Sequence, residues 1–179
     1  AHGKANDLST LIEAAAILKD KPIKILLVGD GPEKKKLINQ AKNLDNVQFE
    51  DPLPKKEMPL FLSKSDAILL CLKDFPLFKY GVSPNKLYDA YSLGRPVITN
   101  VSGLIKDEIV KNQLGITCLP SDPKELAKAI YDLSLISRSI REEMGRNARL
   151  IAENVYSRKK VNDNYDFLIK KVASRFKFS

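Results

Sequence analysis

Several residue types that carry common chemistry are scarce in this sequence. Its 179 residues include one histidine, His2, two cysteines and no tryptophan. Cys71 and Cys118 each lie inside an apolar run with no Cys or His at ligand spacing, which predicts buried, reduced thiols rather than a zinc site or a disulfide. The sequence contains no D-x-D pair that would suggest a metal site, and no run of 18 apolar residues that would predict a membrane span. The remaining chemistry must therefore come from lysines, carboxylates, hydroxyls and backbone amides.

Positive charge is abundant and uneven. The chain has 30 basic and 22 acidic residues, and residues 157–179 alone carry a net charge of +5. A basic end of this kind favours an anionic membrane surface as a possible partner. Nucleic acid is not predicted as a partner, because few aromatic residues are interleaved with the basic ones.

Short apolar runs alternate with segments of helical periodicity. The runs predict strands at 23–29, 47–51, 67–72, 96–101 and 115–120, and the periodicity predicts helices at 8–18, 32–44, 56–65, 104–112, 122–136, 138–154 and 157–173, with a loop at 73–82. This alternation indicates an α/β protein with a doubly wound parallel sheet, which is Rossmann-like, in one domain spanning 1–179. A helix so near residue 1 with no strand before it suggests that a first strand is missing.

The stretch "GVSPNK", residues 81–86, predicts an unusual helix start. Ser83 suits the N-cap position and Pro84 the first helical position, but Lys86 stands near the third position, where an acid is favoured. A cation there costs from a few tenths to about 1 kcal/mol. A bound diphosphate would remove this conflict, and Asp89, one turn on, could bind a ribose. The alternative interpretation is a surface pair of Lys86 with Asp89 at i, i+3.

A second candidate ligand-binding turn is "VGDGPEKKK", residues 28–36. It contains G-x-G but not the third glycine of the dinucleotide motif, and Glu33 would repel phosphate. It is interpreted either as a tight strand-to-helix turn or as a backbone edge beside a base or ribose.

Four segments taken in order resemble a known family. They are "KILLVGDGPEKKKL", "NVQFEDPLPKKEMPLFLSKSDAILL", "SPNKLYDAYSLGRPVITN" and "LGITCLPSDPKELAKAI". The chain resembles the C-terminal donor-binding domain of family-four retaining glycosyltransferases, one half of a GT-B fold. It is most similar to the subgroup that transfers N-acetylated amino sugars in bacterial surface-polysaccharide synthesis, including lipopolysaccharide and capsule.

The resemblance implies roles for particular residues of this sequence. The second glutamate of the family's paired motif falls on Asp89, which implies ribose binding, and the first falls on Gly81, which has no side chain to contact the sugar. The lysine of a K-G-x-D-L segment falls on Lys4 in "KANDL". The implied diphosphate site comprises Lys4, Val82, Ser83, Pro84, Asn85 and Lys86; the base site comprises Gly31, Leu53 and Pro54; the sugar site comprises Lys79, Tyr80 and Gly81.

The resemblance also implies a reaction. A sugar would move with retention from a nucleotide diphosphate, UDP in particular, to a polysaccharide or lipid-linked acceptor, with no metal or other cofactor and no assigned catalytic base. The N-terminal acceptor domain would be a partner that this chain lacks, so the chain alone is expected to be inactive. The expected location is cytoplasmic, with possible attachment to the inner face of the membrane. Two alternatives remain open: half of a nucleotide-sugar epimerase, and a non-catalytic nucleotide-binding α/β module.

Overall fold

The fold alternates short strands with helices along the chain. The computed structural model describes residues 2–175, except for the side chain of Lys79. A 3-10 turn at Lys4–Asn6 comes first. The strands are β1 (Ile25–Val28), β2 (Val47–Glu50), β3 (Ile68–Leu70), β4 (Val97–Thr99) and β5 (Gly115–Thr117). The helices are α1 (Leu8–Ile17), α2 (Lys34–Gln40), α3 (Met58–Leu62), α4 (Pro76–Tyr80), α5 (Asn85–Ser92), α6 (Leu104–Asn112), α7 (Pro123–Leu135), α8 (Arg138–Asn154) and α9 (Arg158–Arg175).

All strand pairs within residues 2–175 are parallel, as the alternating pattern predicted. β1 pairs with β2, with Ile25 opposite Val47. β3, β4 and β5 form a second group in that order. β1 and β3 are not hydrogen-bonded to each other, so the strands fall into a pair and a triplet.

The helices cover both faces of the strands and form two apolar cores. One core joins α1, α2 and α7 to β1, and the other joins α5, α6 and α8 to β3. Consecutive residues of β4 face opposite cores, Ile98 the first and Val97 the second, because side chains alternate along a strand. Two covered faces explain why the strands read as continuous apolar runs. The structure therefore confirms the Rossmann-like class.

Several predicted boundaries differ from the structure. α2 begins at Lys34 rather than Pro32, because Gly31–Lys34 forms a turn in which the Lys34 amide donates to the Gly31 carbonyl at 3.0 Å. The predicted loop 73–82 contains α4, whose Pro76 stands in the first helical turn. α9 runs over Arg158–Arg175 instead of 157–173. The start of α7 follows the prediction: the Asp122 carboxylate accepts the amides of its second and third helical residues.

The last helix lies largely in solvent. No residue of α9 is buried, and the apolar side chains Tyr165, Leu168 and Val172 are each more than half exposed. Across residues 2–175, no helix is both long enough and apolar enough to cross a membrane. Cys71 is buried as predicted, whereas Cys118 is half-buried, and both thiols are free.

Candidate functional site: the carboxyl edge of the sheet

Loops that follow the carboxyl ends of the strands lie on one side of the molecule, here called the carboxyl edge. The first residues of the chain join this edge. The His2 amide donates to the Asp30 carbonyl just after β1 at 2.9 Å, and the Lys73 amide, after β3, donates to the Ala5 carbonyl at 3.0 Å. Ligands of open α/β sheets bind at this edge.

The first turn of α5 is open to a ligand. Pro84, with extended backbone, is the N-cap residue, and no side chain accepts a hydrogen bond from the first-turn amides. The prediction that Ser83 caps this helix is therefore wrong: its hydroxyl lies 2.9 Å from the Tyr88 hydroxyl instead. Because the helix begins one residue later than expected, Lys86 occupies its second position. The free amides and helix dipole still favour an anion here.

Lys86 is a half-buried cation at this edge. Its Nζ donates to the Asn6 Oδ1 at 3.2 Å, which connects α5 to the 3-10 turn 80 residues earlier. Burial lowers the pKa of the Lys86 ammonium. The ion pairs between described side chains include none of Lys86 with Asp89, so the alternative surface pair is absent from the structure. Asp89 lies exposed one helical turn beyond Lys86.

Behind the 3-10 turn lies a buried polar network that the sequence analysis did not assign. The Asp7 carboxylate accepts hydrogen bonds from Thr10 at 3.0 Å, Ser121 at 3.3 Å and the Asn100 amide at 3.5 Å. Asn100 is 1% exposed and also pairs with both backbone groups of Leu72, at 2.9 and 3.0 Å. The network joins three carboxyl-edge loops and positions the Lys4–Asn6 turn. An Asp before a helical pattern resembles an N-cap, but Asp7 makes no capping bond.

The glycine turn after β1 is filled by the chain itself. A Cβ placed on Gly31 would lie 2.7 Å from the His2 carbonyl carbon and oxygen, so Gly31 permits this close backbone approach. The Glu33 amide donates to the His2 carbonyl at 3.1 Å. His2 is buried. The turn is therefore a tight strand-to-helix connection whose outer surface alone is available to a base.

The other predicted base and sugar residues lie on two separate loops. Leu53, half-buried, and Pro54, exposed, follow β2. The end of α4 and the α4–α5 connection are open: Tyr80, the last residue of α4, is 83% exposed, and a Cβ on Gly81 would meet no atom within 4 Å. The Lys79 side chain lies outside the described part of the structure. Lys4 is exposed in the same 3-10 turn as Asn6, the partner of Lys86.

The carboxyl edge provides amides, ammonium groups and several exposed carboxylates, among them Asp51 and Asp89, but its described residues form no metal-binding cluster. Among residues 2–175, no three His, Cys, Asp or Glu side chains are close enough to hold an ion. The Asp51 carboxylate pairs with Lys34 at 2.8 Å, and this hydrogen bond lowers its pKa. Such an arrangement suits recognition of a nucleoside diphosphate by hydrogen bonds and positive charge.

The parallel α/β fold of this chain is that of a Rossmann-like half of GT-B glycosyltransferases. The chain belongs to the family "Glycosyl transferases group 1", which matches residues 3–151. It is 28% identical over 171 residues to N-acetyl-alpha-D-glucosaminyl L-malate synthase from Bacillus anthracis, covering 91% of this chain and 42% of that protein.

Solved structures show the same fold. The Anabaena protein HepE, in complex with UDP-glucose, superimposes with a TM-score of 0.76 at 20% identity, covering 94% of this chain and 46% of that one. A glycosyltransferase from Rickettsia africae gives a TM-score of 0.77 at 18% identity, covering 96% and 46%. The chain thus spans less than half the length of these relatives.

Proposed function

We propose that this chain is the donor-binding domain of an enzyme that transfers a sugar, with retention, from a nucleotide diphosphate to an acceptor hydroxyl. The observation that carries the proposal is the half-buried Lys86, which lies at the uncapped start of α5 and has no carboxylate partner among the described residues. A buried ammonium is costly without a counter-charge, and a diphosphate supplies one.

The diphosphate would lie against the residues that begin α5. Its oxygens would accept hydrogen bonds from amides of Val82, Ser83, Asn85 and Lys86, beside Pro84, and would attract the ammonium groups of Lys86 and Lys4. The same groups would stabilise the charge that develops on the leaving diphosphate, which is the main contribution of the protein to such a reaction. The exposed Asp89 would accept hydrogen bonds from ribose hydroxyls.

The rest of the donor would extend along the neighbouring loops. We assign the base to the outer surface of Gly31 and to Leu53 and Pro54, and the sugar to residues 79–81, at the end of α4. UDP is the favoured nucleotide because the structurally similar HepE is described in complex with UDP-glucose. An N-acetylated amino sugar is favoured because the Bacillus anthracis relative is named for one. A polysaccharide or lipid-linked acceptor remains part of the proposal.

The complete enzyme would supply two further parts: a strand between β1 and β3, and an N-terminal acceptor domain. The split between these strands supports the first part. Residues 2–5 connect the two strand ends, because His2 is hydrogen-bonded just after β1 and Ala5 just after β3. These residues can extend at most about 10 Å, or roughly two strand spacings, which leaves room for one strand between β1 and β3. The exposed apolar side chains of α9 and the length of the relatives support the second part.

Calorimetric titration with UDP and with GDP tests the donor site on the wild-type chain and on Lys86→Ala and Asp89→Ala. Hydrogen bonds to charged groups contribute about 1.5–3 kcal/mol, so each variant should weaken UDP binding by roughly 10- to 100-fold. Lys19→Ala, which removes an exposed charge on the connection after α1, is the matched control and should bind as the wild type does. UDP binding that survives both site substitutions would refute the site while leaving the family assignment intact.

A further inference from the structure

A second charged cavity lies at the edge of the sheet opposite to the proposed donor site. It has a volume of about 590 Å³ and lies where β3 and β4 begin, since Asp66 and Arg95 line it just before these strands. Five arginines line this arginine cavity: Arg95, Arg138, Arg141, Arg146 and Arg149. Two carboxylates, Asp66 and Glu142, also line it, and Glu153 pairs with Arg149 beside it at 2.6 Å, so two positive charges are in excess.

The end of α5 builds one wall of the arginine cavity. The Gly94 amide donates to Tyr91 and the Arg95 amide to Ala90, which is the hydrogen-bond pattern of a glycine-terminated helix. Gly94 adopts φ +61°, a left-handed conformation that glycine allows. This sharp end turns the chain into β4 and places Arg95 at the cavity.

One face of α8 builds the other wall. Positions 138, 141–142, 145–146 and 149 recur at helical spacing and all line the cavity. α8 reaches this wall because Gly145 packs directly on the α5–β4 turn: a Cβ there would lie 2.1 Å from the Gly94 carbonyl oxygen. The close backbone contact between α8 and the α5–β4 turn therefore fixes the positions from which the arginines reach the cavity.

Three of the five arginines donate hydrogen bonds to backbone carbonyls at helix ends. Arg95 donates to the Ser63 carbonyl, Arg149 to the Ser92 carbonyl and Arg141 to the Ile136 carbonyl, at the ends of three different helices. Carbonyl oxygens satisfy N–H groups without neutralising a guanidinium. Arg149 also pairs with Glu153 at 2.6 Å and Arg141 lies 3.8 Å from Asp66, so of these three only Arg95 lacks a carboxylate partner among the described residues. The Arg95 Nε, moreover, is buried with no hydrogen-bond partner among the described residues.

The other two arginines are exposed, and one of them is unpaired among the described residues. Arg138 pairs with Glu142 at 2.8 Å, in a pair whose two side chains are more than half exposed. Arg146 is exposed, lines the cavity and makes no hydrogen bond or ion pair to another side chain of the described range. A guanidinium group matches the geometry of a phosphate and can donate to two of its oxygens at once.

We propose that the arginine cavity binds an anion that carries phosphate, at a site separate from the donor site. A cavity of this volume accommodates a phosphorylated small molecule, and its position on the surface also permits a phospholipid headgroup to enter. Both ligands share the phosphate that the arginines recognise. The site does not depend on the proposed sugar transfer, because it lies at the far end of α5 from Lys86.

Residue-resolved NMR distinguishes this site from the donor site. Inorganic pyrophosphate, added in the presence of saturating UDP, should shift the backbone amides of Gly94, Arg95 and Gly145. In Arg138→Gln/Arg146→Gln, these shifts should need at least about tenfold more pyrophosphate, since two charged donors are removed. The control variant Lys19→Gln/Lys24→Gln loses the same charge from exposed lysines outside the cavity and should titrate as the wild type does.

Vesicle sedimentation separates the two sources of phosphate. Phosphatidylcholine vesicles with and without phosphatidylglycerol are mixed with the wild-type chain and both double variants. Retention on the anionic vesicles that is lost only in the arginine variant assigns the site to a lipid headgroup, whereas pyrophosphate shifts without such retention assign it to a soluble phosphate.

The proposal is wrong if pyrophosphate leaves the three amides unshifted and the two double variants sediment alike. It is also wrong if both variants lose pyrophosphate binding equally, because the effect would then be one of net charge. Arg146→Gln alone, a change at an exposed and unpartnered side chain, repeats the test should the double variant fold poorly.

Discussion

Replacing Gly145 with alanine has two opposing effects on the free energy of unfolding: a gain from helix propensity and a loss from packing. Gly145 lies in the interior of α8, where alanine is favoured over glycine by about 0.8–1.0 kcal/mol. The new Cβ, however, would lie 2.1 Å from the Gly94 carbonyl oxygen and 2.9 Å from its carbon. An ordinary contact needs about 3.5 Å, so α8 must move by more than about 1 Å.

This movement is costly because both partners are backbone. No side-chain rotation relieves the overlap, and α8 would withdraw the fully buried Ala148 from α5. Overpacking costs typically about 1–3 kcal/mol, with rigid contacts at the upper end. Subtracting the gain in propensity, we expect Gly145→Ala to lower the free energy of unfolding by about 2 kcal/mol.

Urea unfolding monitored by circular dichroism measures this change. For a chain of this size the slope is about 2 kcal/mol per M, so the midpoint should fall by about 1 M. Glu143→Ala, on the exposed side of the same helix, should stay within about 0.5 kcal/mol of the wild type. A Gly145→Ala chain as stable as the wild type would show that α8 does not press against the α5–β4 turn, and the packing argument for the arginine cavity would fail with it.

Three further predictions concern buried groups. Asn100→Ala leaves the buried amide and carbonyl of Leu72 without their hydrogen-bond partner, so the free energy of unfolding measured in urea should fall by about 2–4 kcal/mol. A fall below about 1 kcal/mol would contradict this role. Burial lowers the pKa of His2, so its neutral form favours the fold: the stability it contributes is present above the ordinary value of 6.5 and is lost as the pH falls through the folded pKa. The melting temperature should therefore drop between pH 7.5 and 5.5, and His2→Gln, which removes the single histidine, should flatten that drop. Burial raises the pKa of Cys71 to about 12 and that of Cys118 to about 11, so iodoacetamide at pH 8 should label both far more slowly in the folded chain than in urea, and equal rates would refute their burial.

The class of fold could be predicted from the sequence because its signals are local. Apolar runs, helical periodicity and a cap such as Asp122 each involve residues within one element, and the structure confirms them. The conflict between Lys86 and the start of a helix was equally visible, since it depends only on the order of neighbouring residues. The family segments added a function that periodicity alone does not carry.

The detail at α5 was decided by backbone geometry that composition does not reveal. Ser83 and Pro84 both suit a helix start, and the sequence pattern favoured Ser83 as the cap. The structure instead leaves Pro84 extended and pairs Ser83 with Tyr88. A one-residue shift of this kind depends on the backbone dihedral angles of the preceding loop.

The sequence by itself determined the alternating elements, the parallel class and the charge conflict at Lys86. Only the tertiary structure brought Asp7 to Asn100, 93 residues away, and placed Arg95 beside the arginines of α8. It also divided the strands between β1 and β3. The physical reason is the range of each interaction: hydrophobic periodicity acts within a turn or a strand, whereas buried networks and charged cavities exist only after distant segments have packed.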